Sequence, residues 1–145
     1  MNVDAKLQCI HNRLKIKYGS LNEELPEQKM VVKYFTGNEK VLELGANIGR
    51  NSLVIGYILK KKDNNNFVTL ETDPNICKQL IENRDLNFMD FFIENSALSN
   101  RKLIQRGWDT IVSEELLQGY IPVNTISLYK LYEKYCYINT VSREK

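Results

Sequence analysis

The sequence predicts an α/β fold built on an open, mainly parallel β-sheet with helices on both faces. Between about residues 40 and 94, short apolar segments that suit strands alternate with longer segments of helical periodicity. Strands separated by helices of this length pair in parallel through right-handed crossovers. The composition agrees, because 43% of the 145 residues are hydrophobic and only three are proline. In such a sheet the ligand is expected beyond the carboxyl ends of the strands.

Residues 1–37 are predicted to form a helical and strand segment that packs on the domain. A first helix, reaching to about residue 17, is indicated by the spacing of Val3, Leu7, Ile10 and Leu14. The alternating segment Leu14–Tyr18 favours a short strand. A second helix begins near Pro26 and ends before Gly37. Its predicted buried face comprises Met30, Val31, Tyr34 and Phe35.

The middle of the chain gives the clearest alternation. Strands are predicted at Val41–Leu44, at Phe67–Leu70 and at residues 91–93. The helix between the first two strands runs from Arg50 to about Lys61, with Leu53, Val54, Tyr57 and Ile58 on its inner face. The next helix starts at Pro74 with Asp73 as its cap, and its buried face comprises Ile76, Cys77, Leu80 and Ile81. The run Lys60–Lys62 is interpreted as a solvated helix end rather than a phosphate contact.

The pattern weakens after Ser99, and residues 38–145 are treated as one domain. We expect strands at Leu103–Ile104 and Val123–Ile126, and a short helical turn from Ser113 to Leu117. A helix face is indicated by Leu128, Leu131, Tyr132 and Tyr135. The segment Tyr137–Val141 favours the start of another strand.

Composition and charge exclude several classes of function. The net charge of +2, from 20 basic and 18 acidic residues, argues against a nucleic-acid partner. No apolar run approaches the roughly 20 residues of a membrane span, and no signal peptide is expected. Three scattered cysteines do not suit a disulfide framework, which favours a cytoplasmic location. A single histidine argues against a multi-histidine metal site.

The informative motif is the turn Gly45–Gly49 between the first strand and the next helix. A glycine just past a strand lets a ligand approach the backbone, and the helix amino end offers N–H groups to an anion. Glu71 ends the next strand, 22 residues after Gly49, which is the distance at which a carboxylate binds a ribose diol. The glycines read G-x-x-x-G rather than the dinucleotide fingerprint G-x-G-x-x-G, with Asn47 at the middle glycine's place. The phosphate loop G-x-x-x-x-G-K-[ST] is absent from the sequence.

The segment E-x-G-x-x-x-G resembles motif I of the class I S-adenosylmethionine-dependent methyltransferases. Within that superfamily, four segments together look like the FkbM-type branch, over about residues 40–100: Leu42–Gly49, Glu71, Asp73–Asn75 and Asn95–Ser99. The resemblance implies a Rossmann-like fold and S-adenosyl-L-methionine as cofactor. It also implies methyl transfer to an oxygen of a small molecule or sugar.

The resemblance assigns roles residue by residue. The residues that would line the methionyl end of the cofactor are Glu43, Gly45, Ala46, Asn47 and Gly49, and Asn51 is included in the cofactor set. Glu71 would hold the ribose hydroxyls, and Thr72 and Asp73 would lie near the adenine. The edge of the adenine would be covered by Asn95, Ser96 and Ala97.

Several of these residues also have structural interpretations that the sequence leaves open. Asp73 suits a helix cap, Asn47 can satisfy backbone groups of its turn, and Asn95 and Ser96 suit a turn. No catalytic base is assigned, since His11 is the one neutral-range candidate and a lone helical histidine is usually structural.

The chain departs from the family pattern at its end. In the family, a further strand ends in an acidic segment of the D-x-E-G kind and more strands follow. Here Ile138–Thr140 fits the start of that strand, and residues 141–145 replace its end. The sheet is therefore predicted to be incomplete on its C-terminal side, with an open edge that favours self-association or a partner chain. Two alternatives remain: a truncated domain that binds cofactor or partner without catalysis, and a small nucleotide-binding domain that uses the helix start at Arg50 for a phosphate.

Overall fold

The computed structural model describes the backbone of residues 1–143 and the side chains of residues 1–135. This part of the chain is a mixed α/β structure with five helices and eight short strands. The chain divides into two compact units, Met1–Glu94 and Asn95–Lys145. The two helices within residues 1–37 share one hydrophobic core with the central strands of the first unit.

The first unit contains four helices and a three-stranded sheet. The helices are α1 (Val3–Arg13), α2 (Leu25–Tyr34), α3 (Arg50–Lys60) and α4 (Pro74–Leu86). The strands are β1 (Val41–Leu44), β2 (Phe67–Leu70) and β3 (Phe92–Glu94). They pair in parallel in the order β1-β2-β3, with Leu44 beside Leu70 and Leu70 beside Glu94. The predicted parallel alternation of strands and helices is confirmed for this unit.

The core of the first unit lies where α1, α2 and α3 pack together and meet β2. α3 is buried over most of its surface, because Leu53, Val54, Ile55 and Leu59 are all inaccessible to solvent. The rings of Phe67 and Phe91 close this core, with 4.8 Å between their centroids. The sequence therefore predicted too few buried positions on α3, since a helix that is buried on several sides has no single apolar stripe.

Two predictions about the N-terminal segment are wrong. Met30 and Tyr34 are 58% and 61% exposed, so α2 buries Val31 as predicted but pairs it with Gln28 and Val32. No strand forms at residues 14–18. There the amide of Lys15 donates to Asn87 Oδ1 at the C-terminal cap of α4, and the amides of Lys17 and Tyr18 donate to Asn83 Oδ1 within α4. These asparagine side chains take the place of a neighbouring strand.

The second unit contains the remaining strands and one helix. They are β4 (Ala97–Leu98), β5 (Leu103–Arg106), β6 (Asp109–Val112), β7 (Ile121–Val123), β8 (Thr125–Ile126) and α5 (Leu128–Arg143). β4 pairs with β8 in parallel, and β5 pairs with β6 and β7 in an antiparallel sheet. A two-residue connection, Gly107–Trp108, joins β5 to β6 and leaves Trp108 almost fully exposed.

Three sequence predictions fail in this unit. Ser113–Leu117 is not helical, because Ser113 Oγ holds a local bend by accepting from the amide of Glu115 at 3.2 Å. Residues 137–141 belong to α5 and not to a strand, and residues 144–145 lie outside the described part. On α5, Leu131 and Tyr135 are buried as expected, whereas Leu128 and Tyr132 are exposed. Among the described residues, no helix has the length and apolar character needed to span a bilayer.

Candidate functional site

The turn that links β1 to α3 is held against the carboxyl end of β2. The amides of Gly45 and Ala46 both donate to the carbonyl of Leu70 at 2.9 Å. The amide of Gly49 donates to the carbonyl of Ala46 at 3.0 Å, which closes the turn. The motif therefore lies at the edge of the sheet where the sequence placed the ligand.

The two motif glycines have different surroundings. Gly45 has a φ of +76°, and a Cβ built on it would meet no atom within 4 Å. Gly49 has a φ of +99°, and its Cβ would lie 2.6 Å from Leu80 Cδ1 of α4. Gly45 thus leaves open space beside the backbone, whereas Gly49 permits close packing of the turn on α4.

Glu71 joins this turn to the loop after β2. Its Oε1 accepts from the amide of Asn47, and its Oε2 accepts from the amide of Asp73, both at 2.9 Å. The spacing argument predicted that Glu71 and the glycine turn converge, and the structure brings them into direct contact. Two backbone donors fix the carboxylate in one orientation.

Asn47 serves its own turn. It adopts a left-handed conformation with φ of +55°, and its Oδ1 accepts from the amide of Ile48 at 2.9 Å. Asparagine tolerates this conformation better than most residues. The structural interpretation of Asn47 therefore holds for its side chain, while its amide contributes to Glu71.

Glu43 lies on β1, two residues before Gly45, and its carboxyl contacts α3 and β2. Its Oε1 accepts from the hydroxyl of Ser52 on α3 and from the hydroxyl of Thr69 on β2, the latter at 2.7 Å. Burial raises the pKa of the Glu43 carboxyl, against the opposing effect of these two hydroxyl donors. The Glu43 carboxyl therefore links β1 to both α3 and β2.

Asn51 follows in the first turn of α3. Among the described side chains, its Oδ1 is a buried oxygen that accepts no hydrogen bond. Buried acceptors of this kind are uncommon in proteins and call for an explanation. The neighbouring Ser52 is fully buried, and its hydroxyl donates a hydrogen bond to Glu43.

The loop after β2 carries the other predicted adenine contacts. Asp73 caps α4, because its Oδ1 accepts from the amides of Asn75 at 2.8 Å and Ile76 at 3.1 Å. Thr72 is half-buried between Glu71 and Asp73. The capping role of Asp73 is thus confirmed, and a role toward adenine stays a prediction for both residues.

Arg50 starts α3 but its guanidinium is already neutralised. It lies 2.5 Å from Glu23 and 3.7 Å from Glu24, and its Nε donates to the carbonyl of Ser20 at 2.9 Å. A phosphate at this helix start would have to compete with two carboxylates. This arrangement disfavours the alternative in which Arg50 binds a phosphate.

The three predicted residues beyond β3 belong to the second unit. Ser96 is buried, and the amide of Ala97 donates to the carbonyl of Asn124 at 2.8 Å as β4 begins to pair with β8. Asn95 opens the unit. The cofactor roles of Asn95, Ser96 and Ala97 stay predictions.

Two buried polar residues were missed from the sequence: Asn83, which supports the turn, and Gln28, which supports the N-terminal segment. Asn83 of α4 donates to the carbonyl of Ile48 at 2.9 Å and to the carbonyl of Tyr18 at 3.2 Å, so it fastens the N-terminal segment to the turn. Gln28 of α2 donates to the carbonyls of Leu21 and Glu23 at 3.0 and 2.8 Å. Asn83 falls on the apolar face of α4 three residues after Leu80, and a polar residue at such a position was the signal available.

His11 is engaged away from the turn. Its Nε2 lies 2.5 Å from Gln28 Oε1, which places the imidazole between α1 and α2. Within the described residues, no group of three acidic, cysteine or histidine side chains is arranged to hold a metal ion.

Comparisons with protein-family models, curated proteins and solved structures found no match to the chain.

Proposed function

We propose that this chain is an S-adenosylmethionine-dependent methyltransferase domain on a Rossmann-like sheet, acting in the cytoplasm on an oxygen of a small molecule or sugar. The observation that carries the proposal is the hydrogen bond from the Asn47 amide to Glu71 at 2.9 Å. It joins the motif turn to a carboxylate at the end of the neighbouring parallel strand. That pairing suits an adenosyl ligand better than either element does alone.

The residues present fit the cofactor in three respects. The open space at Gly45 admits a ligand close to the backbone. Glu71 accepts from a backbone amide on each carboxylate oxygen, which holds the carboxylate in one orientation at the sheet edge where a ribose diol would bind. The buried Asn51 Oδ1 suits a donor such as the α-amino group of the methionyl moiety.

The bound cofactor supplies an electrophilic methyl group on a sulfonium. The chain's contribution is to bind and orient, which is how in-line substitution is chiefly accelerated. Glu71 orients the ribose, the Gly45 turn sets the approach of the methionyl end, and Glu43 keeps the turn in place through Ser52 and Thr69.

Calorimetric titration with S-adenosylhomocysteine tests the proposal. We expect binding by the full chain, and Glu71→Gln should weaken it by about 1–3 kcal/mol, or roughly 5- to 150-fold. Glu82→Gln is the matched control, because this carboxylate lies on α4 in an exposed pair with Lys17. No heat of binding with a folded sample, or equal losses in both variants, would contradict the proposal. Thermal shifts with NAD and ATP in parallel would rank a general nucleotide site.

A second candidate is a domain that binds cofactor or a partner chain without catalysis. It is favoured by His11, which is held by Gln28 between α1 and α2 and is not presented at the turn. It is also favoured by β1, which pairs only with β2 among the described residues and so has an open edge. Methyl transfer from labelled cofactor to any acceptor in a lysate, by this chain alone, would exclude this candidate.

A further inference from the structure

The outer surface of the three packed helices α1, α2 and α3 contains a concave region that shares no residue with the glycine turn. Two cavities of about 400 and 320 Å³ adjoin there and share Arg13, Tyr57 and Lys61 in their linings. We call this region the helical groove, defined by Lys6, Arg13, Tyr57, Ile58, Lys61 and Lys62. Volumes of this size suit small ligands.

The charge of the helical groove has a single sign. Lysine and arginine residues line both cavities, and no acidic residue lines either one. Within the described part of the chain, Lys6, Arg13, Lys61 and Lys62 make no ion pair, whereas Lys17, Lys29 and Arg50 each have a carboxylate partner. Unpaired like charges gathered on one surface attract anions.

Among the described residues, the carboxylate of Glu39 forms no ion pair with these cations. It accepts from the amide and hydroxyl of Thr36 at 2.6 and 2.8 Å, and from the amide of Gly37 at 2.9 Å. Lys60 is also engaged, since its Nζ donates to the carbonyl of Phe88 at 2.7 Å.

The floor of the helical groove is apolar. Ile10 and Val32 are buried at its base, and Phe35, Tyr57 and Ile58 are partly exposed along it. Lys61 Nζ lies 4.8 Å from the centroid of the Tyr57 ring, so a cation stands directly above an aromatic surface. An apolar floor below a cationic rim accommodates a ligand that has both characters.

We propose that the helical groove binds a small anionic amphiphile, with its phosphate or carboxylate between Arg13 and Lys61 and its apolar chain along Tyr57 and Ile58. A concave site suits a single small molecule better than the flat surface of a bilayer. In this proposal Lys61 and Lys62 take part in a ligand site, whereas the sequence favoured a solvated helix end for the run Lys60–Lys62.

Octyl phosphate, inorganic phosphate and 1-octanol separate the two halves of the recognition. In calorimetry with the full chain below the micelle concentration, octyl phosphate should bind about tenfold or more tightly than either of the other two. Amide chemical shifts of Val32 and Ile58 should move with octyl phosphate. Equal affinity for octyl phosphate and inorganic phosphate would overturn the apolar part of the proposal.

Three variants test the cationic part. Lys61→Gln and Arg13→Gln should each weaken octyl phosphate binding about fivefold or more, because each removes a charge-assisted hydrogen bond. Lys78→Gln, an exposed lysine on α4, is the control and should change nothing. Uniform affinity across the three variants would overturn the proposal. Sedimentation with phosphatidylserine vesicles in the absence of any binding to monomeric octyl phosphate would also overturn it, in favour of a membrane-facing surface.

Discussion

The two motif glycines give a paired prediction, because they share a backbone constraint and differ in their surroundings. Both have a positive φ, +76° at Gly45 and +99° at Gly49, so alanine is strained at either position. A Cβ at Gly45 meets no atom within 4 Å, whereas one at Gly49 lies 2.6 Å from Leu80 Cδ1. Leu80 is fully buried and has little room to move.

The expected losses of stability follow from these two facts. Gly45→Ala should cost about 1–2 kcal/mol, which is the penalty of the left-handed conformation alone. Gly49→Ala adds overpacking against Leu80, of about 1–3 kcal/mol, to the same conformational penalty. Its total loss is therefore about 2–5 kcal/mol.

Urea unfolding followed by far-ultraviolet circular dichroism measures both losses. With an m-value of about 2 kcal/mol/M, the midpoint should fall by roughly 0.5–1 M for Gly45→Ala and by roughly 1–2.5 M for Gly49→Ala. In the double variant Gly49→Ala with Leu80→Ala, the clash is relieved, so Gly49→Ala should cost less in that background than in the wild-type protein.

Ligand binding should divide the two positions in the opposite sense. Gly45→Ala places a methyl group in the space proposed for the cofactor. Its loss of S-adenosylhomocysteine binding free energy should therefore exceed its loss of unfolding free energy. Equal stability losses for the two variants would refute the packing role of Gly49. Unchanged affinity in folded Gly45→Ala would refute the proposed approach of the ligand.

Three further predictions concern polar groups of the first unit. Asn83→Ala should destabilise the protein by about 2–4 kcal/mol in urea unfolding, since it strands the buried carbonyl of Ile48 and two amides of the N-terminal segment. Burial raises the pKa of the Glu43 carboxyl above its ordinary 4.5, so wild-type stability should fall as pH rises from about 4.5 through the raised value. The stability of Glu43→Gln should not change over that pH window, and this variant should be at least as stable as the wild type at pH 7. Burial acts to raise the pKa of Glu39, but hydrogen bonds from Thr36 and Gly37 lower it to about 2. The contribution of Glu39 to stability should therefore be lost as pH falls from 4.5 toward 2. Carboxyl chemical shifts measure this titration, and Glu39→Gln is the control.

The elements that the sequence predicted well have strong local signals. Asp73 and Pro74 mark the start of α4 through a cap and a fixed φ, and the structure places the helix start at the same residue. Three of the four residues of Phe67–Leu70 are apolar and the fourth is the β-branched Thr69, and β2 is the central strand, buried along its whole length. The convergence of Glu71 and the Gly45 turn followed from topology alone, because the carboxyl ends of paired parallel strands share one edge.

The failures occur where distant residues decide the local structure. The segment 14–18 has a strand-like alternation, but the side chains of Asn83 and Asn87, more than 60 residues away, take its amides. β6 was not predicted. All four of its residues are exposed, so its sequence does not show the apolar and polar alternation that marks a half-buried strand. Residues 137–141 contain β-branched residues that favour a strand, and the helix that forms there shows how weak such propensities are.

β1 illustrates a choice that an apolar strand cannot reveal by itself. The pleat turns Leu42 and Leu44 to one face, where they are 43% and 57% exposed, and turns Glu43 inward. A carboxyl is tolerated inside because Ser52 and Thr69 both donate to it, whereas a lone buried carboxyl would cost several kcal/mol. The first acid of the motif thus acts on the architecture of the turn, and the ligand-facing carboxylate in our proposal is Glu71. Glu43→Gln should accordingly preserve S-adenosylhomocysteine affinity to within about threefold, or about 0.7 kcal/mol, while Glu71→Gln loses it; a larger loss for Glu43→Gln would reverse this division of roles.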